Sequence, residues 1–210
     1  VTIAICEGLK VRRCPTRQFS AAQISDDKPL FILETQTNRR LRLFTDHGSM
    51  LQILADDIPE TRATARAANL SSLLPFEKDE RIIAVFPDTD AGDYFFYTRM
   101  GNVKRTPAAE YGIRVKRTAA IALKSGDSVM GVEPQRAENL LLITRLGMSI
   151  RFATDTVPSM GRVSGGVKCI KLEPNDSVLF AAQLSEEGEI LTVTDRGYGK
   201  RSLLFDYELQ

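Results

Sequence analysis

Cations recur in phase along this 210-residue chain. Lys10, Arg12 and Arg13, then Lys104 and Arg105, then Arg151, then Lys200 and Arg201 each stand a few residues after a glycine. A second set opens the stretches that join one such segment to the next: Arg62 and Arg66; Arg114, Lys116 and Arg117; Arg162 and Lys168. Guanidinium and ammonium groups repeated at one structural position can follow a polyanion, because phosphate contacts supply affinity with little demand on sequence. Acids collect in other loops: Asp56, Asp57 and Glu60; Asp79 and Glu80; Asp88, Asp90 and Asp93; Glu186, Glu187 and Glu189. A nearly neutral chain, with 28 basic and 27 acidic residues, therefore carries a basic rim if its repeats are structurally equivalent. From charge alone an ordinary solvated surface is the rival, since 26% charged residues is unexceptional and lysines often guard strand edges.

Other residue types support less chemistry. His47 is the sole histidine and sits in a turn beside Asp46, so no Ser/His/Asp set can be built on it. Gly165-Gly166 has the look of a phosphate cradle, but no helical pattern follows it, which favours a tight turn before a strand. Tyr94, Phe95, Phe96 and Tyr97 could stack single-stranded bases. Their consecutive placement instead suits a strand buried on both faces. Cys6, Cys14 and Cys169 leave one cysteine over in any disulfide scheme and show no zinc-ligand spacing, so buried inert thiols are expected. No convergent acid/base or metal set is visible, which argues against an enzyme acting alone.

The elements that position the cations repeat. Five segments share a β-rich run, a polar turn with glycine, and a second run: VTIAICEGLKVRR, RLRLFTDHGSMLQIL, YFFYTRMGNVKRT, LLITRLGMSIRFA and ILTVTDRGYGKRS. Their glycines, Gly8, Gly48, Gly101, Gly147 and Gly197, are 40, 53, 46 and 50 residues apart, which is propeller-blade spacing. Alternating β-branched and aromatic residues predict each segment to be a hairpin, and a hairpin alone is marginal, so each must stack on its neighbours. The connectors recur as well: RTAAIALKSGDSVMGVE (117–133) matches GGVKCIKLEPNDSVLFAAQ (165–183), and ARAANLSSLLPFEKDERIIAVFP (65–87) follows the same plan. About four strands per repeat give an all-β architecture of four or five blades. Helix is limited to a turn or two near 61–68. Tyr111 and Tyr207 are expected to pack between blades.

At 43% hydrophobic the chain can bury a sizeable core, and no apolar run reaches the length of a membrane span. The N-terminal charges follow a short apolar run, the reverse of a secretory signal, so a cytoplasmic protein without membrane partners is expected. A first residue other than Met fits a piece of a longer protein.

The segment TDRGYGKRSLLFDY (194–207) resembles the T-x-x-G-x-x-K-R-x-x-x-x-x-Y hairpin of the C-terminal domain of the A subunits of DNA gyrase and topoisomerase IV. TRMGNVKRTPAAEY (98–111) is a second copy with the same Gly, Lys-Arg and Tyr spacing. SMGRVSGGVKCIKLEPNDSVL (159–179) is similar to that family's Gly-rich connector followed by G-V-x-x-I-x-L-x-x-x-D-x-V. Five hairpins and their connectors run in the same order, so the resemblance covers essentially the whole chain.

What the resemblance implies is a β-pinwheel, a single C-terminal domain over 1–210, whose basic rim binds and bends duplex DNA. The partners would be double-stranded DNA, the B subunit, and the N-terminal part of the A subunit of a nucleoid-associated type II topoisomerase. Its catalytic tyrosine would lie outside this chain. ATP and Mg2+ would be used elsewhere, with no cofactor here. Two departures bear on function. The place of the gyrase basic box reads QFSAAQISDDKP (18–29), with no cation before Lys28, and the second hairpin has Ser49, Met50 and Gln52 where its sisters carry cations. Both weaken the early rim, which favours a topoisomerase IV-like domain or a divergent gyrase with little chiral wrapping. A propeller-like platform for protein partners is the alternative from another class.

Overall fold

Runs of valine, isoleucine, leucine and aromatic residues, broken by glycine turns, are the strands of the computed structural model, which describes residues 1–19, 28–61, 67–89, 91–185 and 187–210. Among the described residues there are strands and short 3-10 turns but no α-helix. The stretch near 61–68 considered for a helical turn lies largely outside them, as do Ser20–Asp27 and Arg62 and Arg66.

Each repeat is built on an antiparallel hairpin. With strands numbered in chain order, the hairpins are β1 (Thr2–Cys6) with β2 (Lys10–Cys14), β4 (Arg40–Thr45) with β5 (Ser49–Leu54), and β8 (Asp93–Thr98) with β9 (Asn102–Pro107). Then come β12 (Asn139–Thr144) with β13 (Ser149–Ala153) and β16 (Glu189–Val193) with β17 (Gly199–Leu203). A third strand joins the first strand of four hairpins: β3 (Pro29–Glu34) on β1, β7 (Ile82–Pro87) on β4, β11 (Val129–Pro134) on β8 and β15 (Val178–Leu184) on β12. In all four the register slips at the same place, beside the turn, where a bulge sharpens the twist. A short fourth strand comes from the following connector: β6 (Ala68–Asn69) on β2, β10 (Arg117–Ala119) on β5 and β14 (Val167–Lys168) on β9. Among the described residues, three sheets thus have four strands, one has three and one has two.

Contacts gather into two compact units. One is Val1–Asp90 with Tyr111–Ala120; the other is Ala91–Glu110 with Ile121–Gln210. The first buries Ile3, Ile5, Val11, Leu41, Leu43, Leu51 and Ile58 in one apolar cluster. The second buries Phe95, Tyr97, Val103, Leu140, Leu142 and Val178. Tyr94 to Tyr97 are all buried, so the aromatic run is core, as its lack of alternation predicts. Tyr111 is also buried; its hydroxyl donates to the Ala120 carbonyl at 2.9 Å and its ring meets Phe44 edge-on.

Gly166 turns the chain into β14 at φ +80°, and an added Cβ would lie 2.6 Å from the Val103 carbonyl oxygen. Left-handed strain plus a clash with backbone should cost Gly166→Ala roughly 2–4 kcal/mol. Gly161→Ala meets no atom within 4 Å. Urea unfolding should show a large loss for the first variant and almost none for the second; equal losses would refute the account.

Candidate nucleic-acid interface

Four hairpin turns close with the same pair of bonds. The threonine three residues before the glycine (Thr45, Thr98, Thr144 or Thr194) accepts the glycine N–H on its carbonyl at 3.0 Å. Its hydroxyl accepts a further N–H four residues on, from Ser49 at 3.3 Å, Asn102 at 3.1 Å, Met148 at 3.2 Å and Tyr198 at 3.1 Å. The glycines hold φ between 77° and 88° in these turns, a region L-residues avoid. A threonine-capped, glycine-bent tip is therefore a fixed platform. The first hairpin has Ile5 at the threonine position and is closed differently.

The predicted cations divide sharply. In the first unit Lys10, Arg114 and Lys116 are exposed, whereas Arg12 and Arg13 are buried. Arg13 donates through Nε to the Ile58 carbonyl at 2.7 Å and pairs with Asp56 at 3.1 Å. In the second unit Arg151 donates to the carbonyls of Leu204 and Tyr207, each at 3.3 Å. Ile58 and Tyr207 both end the 3-10 turn of the next repeat, so these arginines stitch one repeat to its successor. Gln52 does the same with a neutral amide, donating to Ile113 and to Val115, the latter at 2.7 Å. The uncharged residues of the second hairpin are thus buried joints; Ser49 and Met50 are covered too.

Lys104, expected on the rim, has no exposed surface. Its ammonium lies over the Phe96 ring at 5.1 Å and donates to the Arg162 carbonyl. Burial, with the Arg162 charge nearby, pushes this lysine down to about 7. Between about 7 and its ordinary value near 10 the unfolded chain binds the extra proton, so Lys104 makes stability rise with pH across that window. Lys104→Met should remove that rise, on the order of a few kcal/mol, in urea melts from pH 7 to 10. A variant with the wild-type pH profile would exclude this burial effect.

Arg105 is half-buried and pairs with Asp93 at 2.5 Å. Arg117 is drawn into a carboxylate pocket with Glu77 at 2.8 Å and Glu80 at 2.7 Å, and also donates to the Ser49 hydroxyl. Glu80 accepts from Thr45 at 2.6 Å and from the Glu77 N–H at 2.7 Å. Burial alone would raise its carboxyl, but these donors and the guanidinium outweigh that and hold it below the usual range.

What stays at the surface of the second unit is a different set. Lys168, Lys200 and Arg201 are exposed and Arg162 is half-exposed. Lys168 donates to the Met100 carbonyl, which seats a connector cation on the third hairpin tip beside exposed Arg99. Lys200 and Arg151 share the wall of a cleft of about 280 Å³ with Ser149 and Ser202, and Asp206 and Glu208 line it too. Arg201 faces Glu189 at 3.3 Å, both open to solvent. The tips add cations that a search after the glycines misses: Arg99, Arg145 and Arg196 stand just before the turn glycine, and all are exposed. The same five segments, read on the other side of the glycine, would have found them. No cluster of His, Cys, Asp or Glu among the described residues could hold a metal, and His47 lies exposed against Glu77. The three cysteines are free thiols, with Cys6 and Cys14 buried and Cys169 half-buried.

Comparison with known proteins agrees with the repeat. A family model described as the DNA gyrase C-terminal domain, beta-propeller, matches residues 43–87, 95–136, 138–185 and 188–210. The DNA gyrase A subunit of Lawsonia intracellularis is 34% identical over 194 residues, covering 88% of this chain and 24% of that protein. Its Escherichia coli counterpart is 32% identical over 194 residues, covering 90% of this chain and 22% of its own length. The chain therefore spans about a quarter of these relatives. A crystal structure of the C-terminal domain of DNA topoisomerase IV superposes with a TM-score of 0.89 at 26% identity, over all of this chain and 69% of that one. The all-β class expected from the repeat is present, and so is the β-pinwheel class that the resemblance implies. From the hairpins to these matches, the findings agree that the chain belongs to the DNA gyrase C-terminal domain family.

Proposed function

We propose that this chain is a non-catalytic DNA-binding and DNA-bending domain of the A subunit of a bacterial type II topoisomerase. The observation that carries the reading is the recurrence of an exposed arginine at three rigid hairpin tips, with Lys168 seated on one of them, in a member of this family. Arg99, Arg145, Arg196, Lys168, Lys200 and Arg201 hold phosphates in the second unit; Lys10, Arg114 and Lys116 are the corresponding surface cations of the first. Such contacts grip duplexes of any sequence. Two acids beside the tips are engaged with backbone: Asp127 and Asp176 accept the N–H groups of Met100 and Leu146 at 3.0 and 3.1 Å. In this reading the partners are the B subunit, with the rest of the A subunit. ATP and Mg2+ act on those parts, and the site of action is the cytoplasmic nucleoid.

The test is the salt dependence of binding to a mixed-sequence duplex. Affinity should fall steeply between about 50 and 200 mM salt, with the logarithmic slope reporting the phosphates neutralised. Absent or salt-indifferent binding would refute the proposal and favour a platform for protein partners.

A further inference from the structure

The third and fourth hairpin tips each open with an exposed arginine, Arg99 or Arg145, and the same Asp-Ser pair holds both. Ser128 and Ser177 accept the arginine N–H on their carbonyls, each at 2.9 Å. The aspartate before each serine takes the next N–H along the tip: Asp127 Oδ1 accepts from Met100 at 3.0 Å, and Asp176 Oδ1 from Leu146 at 3.1 Å. The same oxygen also accepts the N–H of its own serine at 2.8 Å in both repeats, and Oδ2 of each is covered by protein. The Arg145 guanidinium rests on the carbonyl of Asn175, the residue before Asp176, at 2.8 Å. This arrangement is shared by the four-stranded sheet of the third hairpin and the three-stranded sheet of the fourth. The second hairpin differs on both counts. Its tip opens with Asp46, and the acid at the equivalent register, Glu80, is committed to the Thr45 hydroxyl and to Arg117.

An acid beside a phosphate-binding arginine ordinarily weakens the grip, because its charge repels the polyanion. Two aspartates that accompany the tip arginines call for another role, and their bonds supply one. A turn that must be ordered on binding costs affinity, whereas a turn already held does not. We propose that Asp127 and Asp176 are positioning residues for DNA binding: each fixes its tip so that Arg99 or Arg145 stands ready for a phosphate. The acids thereby strengthen a grip that their charge alone would weaken. The role rests on the DNA-binding reading above, and neither carboxylate touches a phosphate to fulfil it. Charge and geometry can be separated by substitution. Asparagine keeps an Oδ1 acceptor and loses only the charge; alanine loses both.

The experiment uses the whole chain on a mixed-sequence duplex across a salt series, with amide hydrogen exchange at Met100 and Leu146 as a second reading. Asp127→Asn with Asp176→Asn should bind about two- to fivefold more tightly at low salt and like the wild type at high salt, where the removed charges are screened. Asp127→Ala with Asp176→Ala gains the same net charge, yet should bind on the order of tenfold more weakly at every salt concentration. Its two tip amides should also exchange faster, because their acceptors are gone. Alanine binding as tightly as asparagine, or leaving tip exchange at the wild-type rate, would overturn the proposal, since the acids would then act through charge alone. Weaker binding by the asparagine variant would overturn it too, and that arm decides the matter even where the alanine variant fails to fold. Failure of wild-type protein to bind the duplex at any salt would instead remove the DNA-binding reading itself.

Discussion

Arg117→Ala should destabilise the protein by about 3–5 kcal/mol at neutral pH, the range for stripping one partner from a buried ion pair. The Glu80 side chain is wholly covered and depends on the guanidinium for charge balance, while Arg117 itself opens β10, the strand that completes the second sheet. In the wild type the Glu80 carboxyl is held below its ordinary value of 4.5, so it contributes stability above that value and loses it as pH falls through the folded one. Without Arg117 the burial that opposes ionisation is no longer outweighed, and protonation becomes a relief. The deficit of the variant should therefore shrink as pH is lowered from 7 toward 4. Urea unfolding at both pH values reads this directly. A deficit under 1 kcal/mol, or one that does not change with pH, would show that the pair is a surface contact. Arg117→Met combined with Glu80→Leu should recover much of the loss, since two matched apolar groups leave no buried charge.

The second large effect falls on DNA. Removing Arg145, Arg196, Lys200 and Arg201 together should flatten the salt slope of duplex binding by up to about 0.9 for each phosphate released. At physiological salt that compounds into a loss of orders of magnitude. All four side chains are exposed, so the fold should survive the change. Lys104→Met, at a position in the same motif, should shift stability and leave the slope alone, because its ammonium is spent on the Arg162 carbonyl. Equal slope changes from the Lys104 variant and the quadruple variant would mean that the buried position reaches the phosphates. The expected weakness of the early repeats in wrapping DNA enters the same frame. Of its two grounds, Ser20–Asp27 lies outside the described residues, and Ser49, Met50 and Gln52 are buried. A topology-shift assay on nicked circles sealed with the domain bound would decide it: a strong change in linking number would exclude weak wrapping.

Much of the architecture was legible because it depends on local rules applied five times. Glycine at a left-handed turn, β-branched and aromatic strands, and a connector of constant plan predict hairpins and their spacing without knowledge of any contact. Tyr94 to Tyr97 read as core since four consecutive aromatic residues cannot all face solvent. The cations were less legible. Lys-Arg in a strand alternates sides, but which side is covered depends on the strand that the next connector supplies. At Lys104 the covering group is the 161–168 connector, and at Arg13 and Arg151 it is the carbonyl ending the next repeat's 3-10 turn.

The sequence by itself determined the all-β class, the repeat, the turn glycines and the family, since each follows from residue type at fixed spacing. Only the tertiary structure decided which cations meet solvent. Lys104 is sealed because β9 gains β14, supplied by the 161–168 connector, as its neighbour. Burial is a property of the neighbour, and strands supplied from dozens of residues away are what a local pattern cannot contain.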